Sequence, residues 1–203
     1  MSRIKLKICG VQNTQEAEIL VDVAVDYIGL NFVPGSKRCI AVDSARAILS
    51  IVKDCDIVPV LLFQSQPASQ IIELADELDV HLLQLHGNEI EADYSLLRDK
   101  NQIIKAIYPG SSIKQQIENF KGDYYLLDRA IQGQGDVVDG ESATIANELT
   151  DKLFLAGGLD PDNLTGILDV TKPYAVDIAS GVRTDGMLDL AKIEQIQAIL
   201  EQV

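Results

Sequence analysis

Eight short apolar runs recur along the chain, each followed by a stretch with helical spacing. They read LKIC, DYIGLNF, IVPVLLF, HLLQLH, QIIKAI, DYYLLD, KLFLAG and YAVDIAS. Their starts lie roughly 20 to 30 residues apart, the length of one strand, one helix and two short loops. Eight such units predict an α/β fold: a (β/α)8 TIM barrel with a parallel eight-stranded core, as one domain over residues 1–203. A doubly wound open sheet is the competing architecture. No Pro/Gly-rich linker or composition shift divides the chain. Several helix starts are legible. Asn13 with Glu16, and Ser112 with Gln115, read as capping boxes, Asp160-Pro161 reads as N-cap and N1, and PASQIIELADEL (67–78) has apolar residues at helical spacing.

A hydrophobic content of 47% can fill one sizeable core, yet no apolar run approaches the ~18 residues needed to span a bilayer. The formal net charge is −14 with no basic face, which argues against a nucleic-acid partner. Met1 to Lys7 carries three basic residues with no apolar segment after them, unlike a secretory signal. Cys9, Cys39 and Cys55 cannot all pair and lack CxxC spacing, and His81 and His86 are the only histidines, so a Cys/His zinc site is not expected. These features predict a reduced, cytoplasmic protein.

In a barrel of this kind the site lies at the C-terminal ends of the strands. Cys9, Asn31, His86, Asp128, Gly157, Gly158 and Ser180 all fall at a strand end or in the loop just after it. LFLAGGLDPDNL (153–164) and VDIASGVRTDG (176–186) each run from a buried strand into a glycine turn, Gly157-Gly158 and Ser180-Gly181. After strands 7 and 8, such turns suit a phosphate held by backbone N–H groups, which suits a chain poor in positive charge. Strand alternation puts Lys5, Lys7 and Cys9 on one face and Leu6 and Ile8 on the other, so the lysines enter the barrel and the thiol reaches its mouth. Interior lysines need partners, and Asp128 and Asp177 are the candidates. Asp128 ends an apolar strand, where desolvation would raise its pKa and suit it to general-acid work, while nearby cations could make Cys9 a thiolate base. Inert packing is the alternative for Cys9, and a turn cap is the alternative for Asp128. Lys37 and Arg38 in GSKRCI (35–40) could meet an anionic substrate, with Arg38 able to grip a carboxylate. His86 could donate to a ligand or cap its loop.

The stretches KICG, GLNFVPGSKRCI, LLQLHGNE, YYLLD, LAGGLDPDNL and VDIASGV occur in this order between residues 5 and 182. On them the chain resembles the phosphoribosylanthranilate isomerase family of tryptophan biosynthesis. The resemblance implies that Asp128 protonates the ribose ring oxygen and opens the ring to a Schiff base, and that Cys9 takes the proton from ribose C2. It also implies that Arg38 holds the anthranilate carboxylate, that Gly157, Gly158, Ser180 and Gly181 cradle the phosphate, and that Asp177 lies close to the substrate. The partner would be this small molecule, the cofactor none, and the assembly a monomer or homodimer. The chain departs from the family pattern at GQGDVVDG (133–140), which lacks the usual threonine and aromatic, and at Ala179. It departs again at Gly186-Met187-Leu188-Asp189, where a lysine is common. Another sugar-phosphate isomerase of this fold, or a non-catalytic barrel binding a phosphorylated ligand, are the alternatives.

Overall fold

Strand 1 closes the sheet against strand 8, so all eight barrel strands pair in sequence order without a free edge. The computed structural model describes residues 3–109, 112–129 and 138–203. The strands are β1 (Lys5–Cys9), β2 (Tyr27–Asn31), β3 (Val58–Phe63), β4 (Leu82–Leu85), β5 (Gln102–Ile107), β6 (Tyr124–Leu127), β7 (Leu153–Leu155) and β8 (Ala175–Ile178). Each coincides with one of the eight apolar runs, and every barrel pair described is parallel. The open-sheet alternative is thereby excluded. The helices are α1 (Thr14–Asp22), α2 (Val42–Val52), α3 (Ala68–Leu78), α4 (Glu91–Tyr94), α5 (Ile113–Asn119), α6 (Gly140–Leu149), α7 (Leu164–Leu168) and α8 (Leu190–Leu200), with a 3-10 turn at Ser95–Asp99 and a hairpin of β9 (Arg183–Thr184) and β10 (Met187–Leu188).

Two cores follow from strand alternation. Leu6, Ile8, Ile28, Leu30, Leu61 and Leu83 face outward and pack with the helices. Tyr27, Val60, Leu62, Ile104, Leu126 and Phe154 point inward and fill the barrel. Tyr27 and Tyr124 meet the Phe154 ring edge-on, with centroids 5.3 and 5.7 Å away. Lys7 is fully buried among these residues and donates from Nζ to Asp177 Oδ2 at 2.8 Å. Asp177 is one of the two partners that the sequence offers an interior lysine. Lys5 solves the same problem differently: its ammonium lies 5.4 and 5.0 Å from the ring centroids of Tyr27 and Tyr174, and Nζ donates to Tyr27 Oη at 3.4 Å.

The caps are partly as read. Asn13 accepts from the Glu16 N–H and Ser112 from the Gln115 N–H. The Glu16 carboxylate, however, returns to the N–H of Gln12 and is otherwise engaged by Arg183, because a cation 167 residues away outbids the local donor. Asp160 accepts from the N–H groups of Asp162 and Asn163, yet α7 begins at Leu164 and not at Pro161. The Asp160 side chain holds residues 161–163 as a turn before the helical ladder starts.

Candidate active site

A cavity of about 660 Å³ opens at the C-terminal ends of the strands, and eight of the nine expected site residues line it: Cys9, Arg38, His86, Asp128, Gly157, Gly158, Asp177 and Ser180. The ninth, Gly181, lines an adjoining cavity of about 480 Å³ that shares Gly158, Ser180 and Arg129 with the first. The loops that turn at 157–158 and 180–181 therefore stand between the two spaces. Gly157 and Gly158 have φ of +92° and +77°, backbone that side-chain-bearing residues rarely adopt. Their turn presses the chain against the strand-6 end, where a Cβ at Gly157 would stand 2.9 Å from the Arg129 nitrogen.

Cys9 ends β1 and is half-buried over the Lys7–Asp177 pair. Burial pushes its thiol up to about 11, with Lys7 and Arg38 pulling down and Asp177 pushing up. At about 11 the thiol is protonated in the free site at neutral pH, while Lys7 and Arg38 are cations that favour its thiolate. Lys7 itself is held above the ordinary lysine value: burial alone would lower it, but Asp177 and then Cys9 outweigh the desolvation. Space for the sulfur comes from strand β2. A Cβ at Gly29 would lie 3.0 Å from Cys9 Sγ and 3.1 Å from a methyl of Leu62, so the glycine leaves the thiol its place.

Asp128, at the end of β6, is buried, and its Oδ1 accepts from the Arg129 N–H at 2.9 Å. Asp177 uses Oδ2 for Lys7, while its buried Oδ1 has no partner among the described residues. The Arg38 loop is anchored by Asn31, whose Oδ1 accepts from the Val33 N–H at 2.8 Å and whose Nδ2 donates to Ser36 Oγ at 3.1 Å. Ser36 Oγ in turn accepts from the Arg38 N–H at 3.2 Å. His86 is pulled down to about 4, first by burial and then by Lys7 and Lys105, so its ring is neutral. Gln84 donates to its Nε2, and Tyr108 Oη donates to its backbone carbonyl at 2.7 Å. The first contact holds Nε2 as an acceptor and so leaves the ring proton on Nδ1, and the second fixes the loop, with His86 in the cavity wall.

Three contributors escaped the sequence reading. Gly29 looks like any strand glycine, and only the register Cys9↔Gly29 reveals it. Arg129 and Lys192 line the smaller cavity beside the glycine turns. Arg129 had a legible signal, being the residue after a strand-end aspartate. Among the described residues no group of three or more His, Cys, Asp or Glu could hold a metal ion, and no helix is long and apolar enough to cross a membrane.

Comparison with known proteins bears directly on this arrangement. The family described as N-(5'phosphoribosyl)anthranilate (PRA) isomerase matches residues 6–198. The chain belongs to that family. An N-(5'-phosphoribosyl)anthranilate isomerase of Zygosaccharomyces bailii is 34% identical over 195 residues, covering 93% of this chain and 94% of the relative. A phosphoribosyl anthranilate isomerase structure from Thermus thermophilus superposes with a TM-score of 0.88 at 28% identity, over 98% of this chain and 99% of that one. Another isomerase structure was solved in complex with reduced 1-(o-carboxyphenylamino)-1-deoxyribulose 5-phosphate. It has a TM-score of 0.84 at 27% identity, over 98% of this chain and all (100%) of that one.

Of the departures from the isomerase pattern, residues 133–137 lie outside the described residues, while Asp139 caps α6 by accepting from the Ser142 N–H at 2.7 Å. Leu188, standing where the isomerases commonly carry a lysine, pairs with Arg183 across the β9–β10 hairpin. Ala179 lines the large cavity beside Ser180.

Proposed function

We propose that the protein catalyses the isomerisation of N-(5'-phosphoribosyl)anthranilate to 1-(2-carboxyphenylamino)-1-deoxyribulose 5-phosphate, an Amadori rearrangement in tryptophan biosynthesis. The observation that carries the reading is the one cavity that gathers a thiol, a strand-end carboxyl, an arginine and two glycine turns. Family membership over residues 6–198 supports it.

In this reading the phosphate rests on the turns at Gly157-Gly158 and Ser180-Gly181, and Arg38 takes the anthranilate carboxylate in a bidentate grip. Held at both ends, the ribose lies across the mouth between Cys9 and Asp128. Asp128 gives its proton to the ring oxygen and the C1–O bond opens to a protonated Schiff base. Cys9, having given its own proton to water, removes as thiolate the C2 proton, whose acidity the adjacent iminium has raised, leaving an enolamine that tautomerises to the ketose. A thiol with a pKa of about 11 is a strong base once ionised, and the iminium formed in the first step supplies the positive charge that favours ionisation. Asp177, in the wall of the same cavity, lies close to the ribose in this reading. His86 contributes to substrate binding from the cavity wall in this reading. These proton transfers need only a thiol and a carboxyl, so the reading includes no metal or cofactor. It describes a single-domain cytoplasmic enzyme working as a monomer or homodimer.

The test follows loss of anthranilate fluorescence from freshly generated substrate. Wild-type protein should turn over rapidly, and Cys9→Ala and Asp128→Asn should each lose at least about 10³-fold in kcat while affinity for the reduced product analogue stays within a few-fold. Near-full turnover in either variant would remove that residue from its role, and binding without turnover in the wild type would leave a non-catalytic barrel.

A further inference from the structure

Three loops of the site converge on one buried ion pair. Arg183 and Glu16 have side chains only 5% and 10% exposed. Nη1 of Arg183 donates to Glu16 Oε1 at 2.6 Å and Nη2 to Oε2 at 3.0 Å. The same guanidinium donates to two carbonyls, Gly10 O at 2.8 Å and Gly186 O at 2.9 Å. Its own backbone N–H donates to Ser180 O at 3.1 Å. On the carboxylate side, Glu16 Oε2 accepts from the Gln12 N–H at 3.0 Å, and Gln12 Nε2 donates to Lys37 O at 3.2 Å.

The connections lead to the working ends of the site. Gly10 follows Cys9, and the stem of Arg38 lies directly on it: a Cβ there would stand 2.2 Å from Arg38 Cδ. Ser180 belongs to the turn beside the phosphate end. A buried ion pair is seldom more stabilising than an apolar replacement, so stability alone does not account for this one. A planar fork holding one carboxylate and two carbonyls at once does fix geometry.

We propose that Arg183 is a positioning residue that, with Glu16, sets the spacing between the Ser180-Gly181 turn, the Cys9 thiol and the Arg38 guanidinium. The proposal rests on the isomerase reading of those three groups. A substrate gripped at phosphate and carboxylate presents its C2 proton to the thiol only if that spacing is held, and a displacement near 1 Å costs about 100-fold in rate.

Arg183→Lys tests it, because the ammonium keeps the charge but cannot serve four acceptors. Wild-type turnover is measured first, and its absence would sink the isomerase reading without touching the clamp. With turnover present, the lysine variant should lose about 10- to 100-fold in kcat per folded molecule, while inhibition by inorganic phosphate stays within about threefold. Peptide-resolved alkylation of Cys9 should become several-fold faster as the Gly10 turn loosens, a readout that needs no turnover. A kcat within twofold of wild type, a loss confined to phosphate affinity, or unchanged Cys9 alkylation would each overturn the proposal. Should the lysine variant not fold, Arg183→Gln, which retains a donor for the Gly10 carbonyl, is judged by the same outcomes.

Discussion

Replacing Lys7 by methionine probes the charge that sits beneath the thiol. Lys7 is fully buried, and its only ion-pair partner among the described residues, Asp177, is 5% exposed at 2.8 Å. Removing one member of such a pair leaves the other as a buried, uncompensated charge, which costs about 3–5 kcal/mol. The second consequence falls on Cys9, whose thiol stands near 11 because burial outweighs the pull of Lys7. Without Lys7 the thiol rises further. If Asp177 keeps its charge, it adds to the rise. If Asp177 takes up a proton, its smaller opposing push disappears but the larger pull of Lys7 is still lost. In the wild type a thiol near 11 is ionised to about one part in 10³ at pH 8. The assay is the rate of iodoacetamide labelling of the Cys9 peptide from pH 7 to 10, alongside urea unfolding. Lys7→Met should label Cys9 at least several-fold more slowly at every pH below 10 and lose about 3–5 kcal/mol of stability. The paired variant Lys7→Met/Asp177→Leu should regain most of the stability and still label slowly. A Lys7→Met protein with near-native stability and an unchanged labelling profile would refute the claim that this pair is desolvated and acts on the thiol.

Other perturbations have equally definite outcomes. Gly29→Ala places a methyl 3.0 Å from Cys9 Sγ, so kcat should fall about tenfold or more with at most about 1–3 kcal/mol of lost stability. Unchanged kinetics would show that the thiol has room to spare. His86 has a folded pKa of about 4, below its unfolded value, so the unfolded state binds more protons between pH ~6.5 and 4. Its contribution is complete above pH ~6.5 and is lost as pH falls to about 4, and His86→Gln should flatten the stability profile across that window in urea titrations. Glu89 is buried, bonds Lys105 Nζ at 2.6 Å, and accepts from the N–H groups of Gly87 and Ser65. Glu89→Gln should therefore lower stability by about 3–5 kcal/mol, and a loss under 1 kcal/mol would show that water reaches Lys105.

Much of this was legible because a barrel repeats one unit. KLKIC alternates so regularly that its inward face, and hence the place of Cys9, follows from period two alone. The glycine turns after strands 7 and 8 carry their own local signal. What stayed hidden depends on partners distant along the chain. Nothing near Arg183 announces that Glu16 will meet it, and Glu16 on its own reads as a capping residue. Gly29 matters only through the side chain on the neighbouring strand. The thiol's high pKa reflects how fully the barrel mouth desolvates it, a quantity that no motif encodes. The start of α7 was misplaced because Asp160-Pro161 has the right residues for a helix start, while the Asp160 carboxylate is spent on a turn.

The seam between β1 and β8 has a bearing on how the chain becomes active. The Lys7–Asp177 bond joins residues 170 apart, whereas the Leu6–Asp26 bond between adjacent units spans 20. By chain entropy alone, closing the longer loop costs about 2 kcal/mol more, so the seam is expected to be the last pairing to form. Until it forms, Cys9 keeps Lys7 on its own strand but lacks Asp177 and the burial that raises its pKa, and it faces water on a sheet edge. The half-made barrel then exposes a thiol to oxidants, and on the proposed mechanism the proton transfers wait until the final strand is zipped into place.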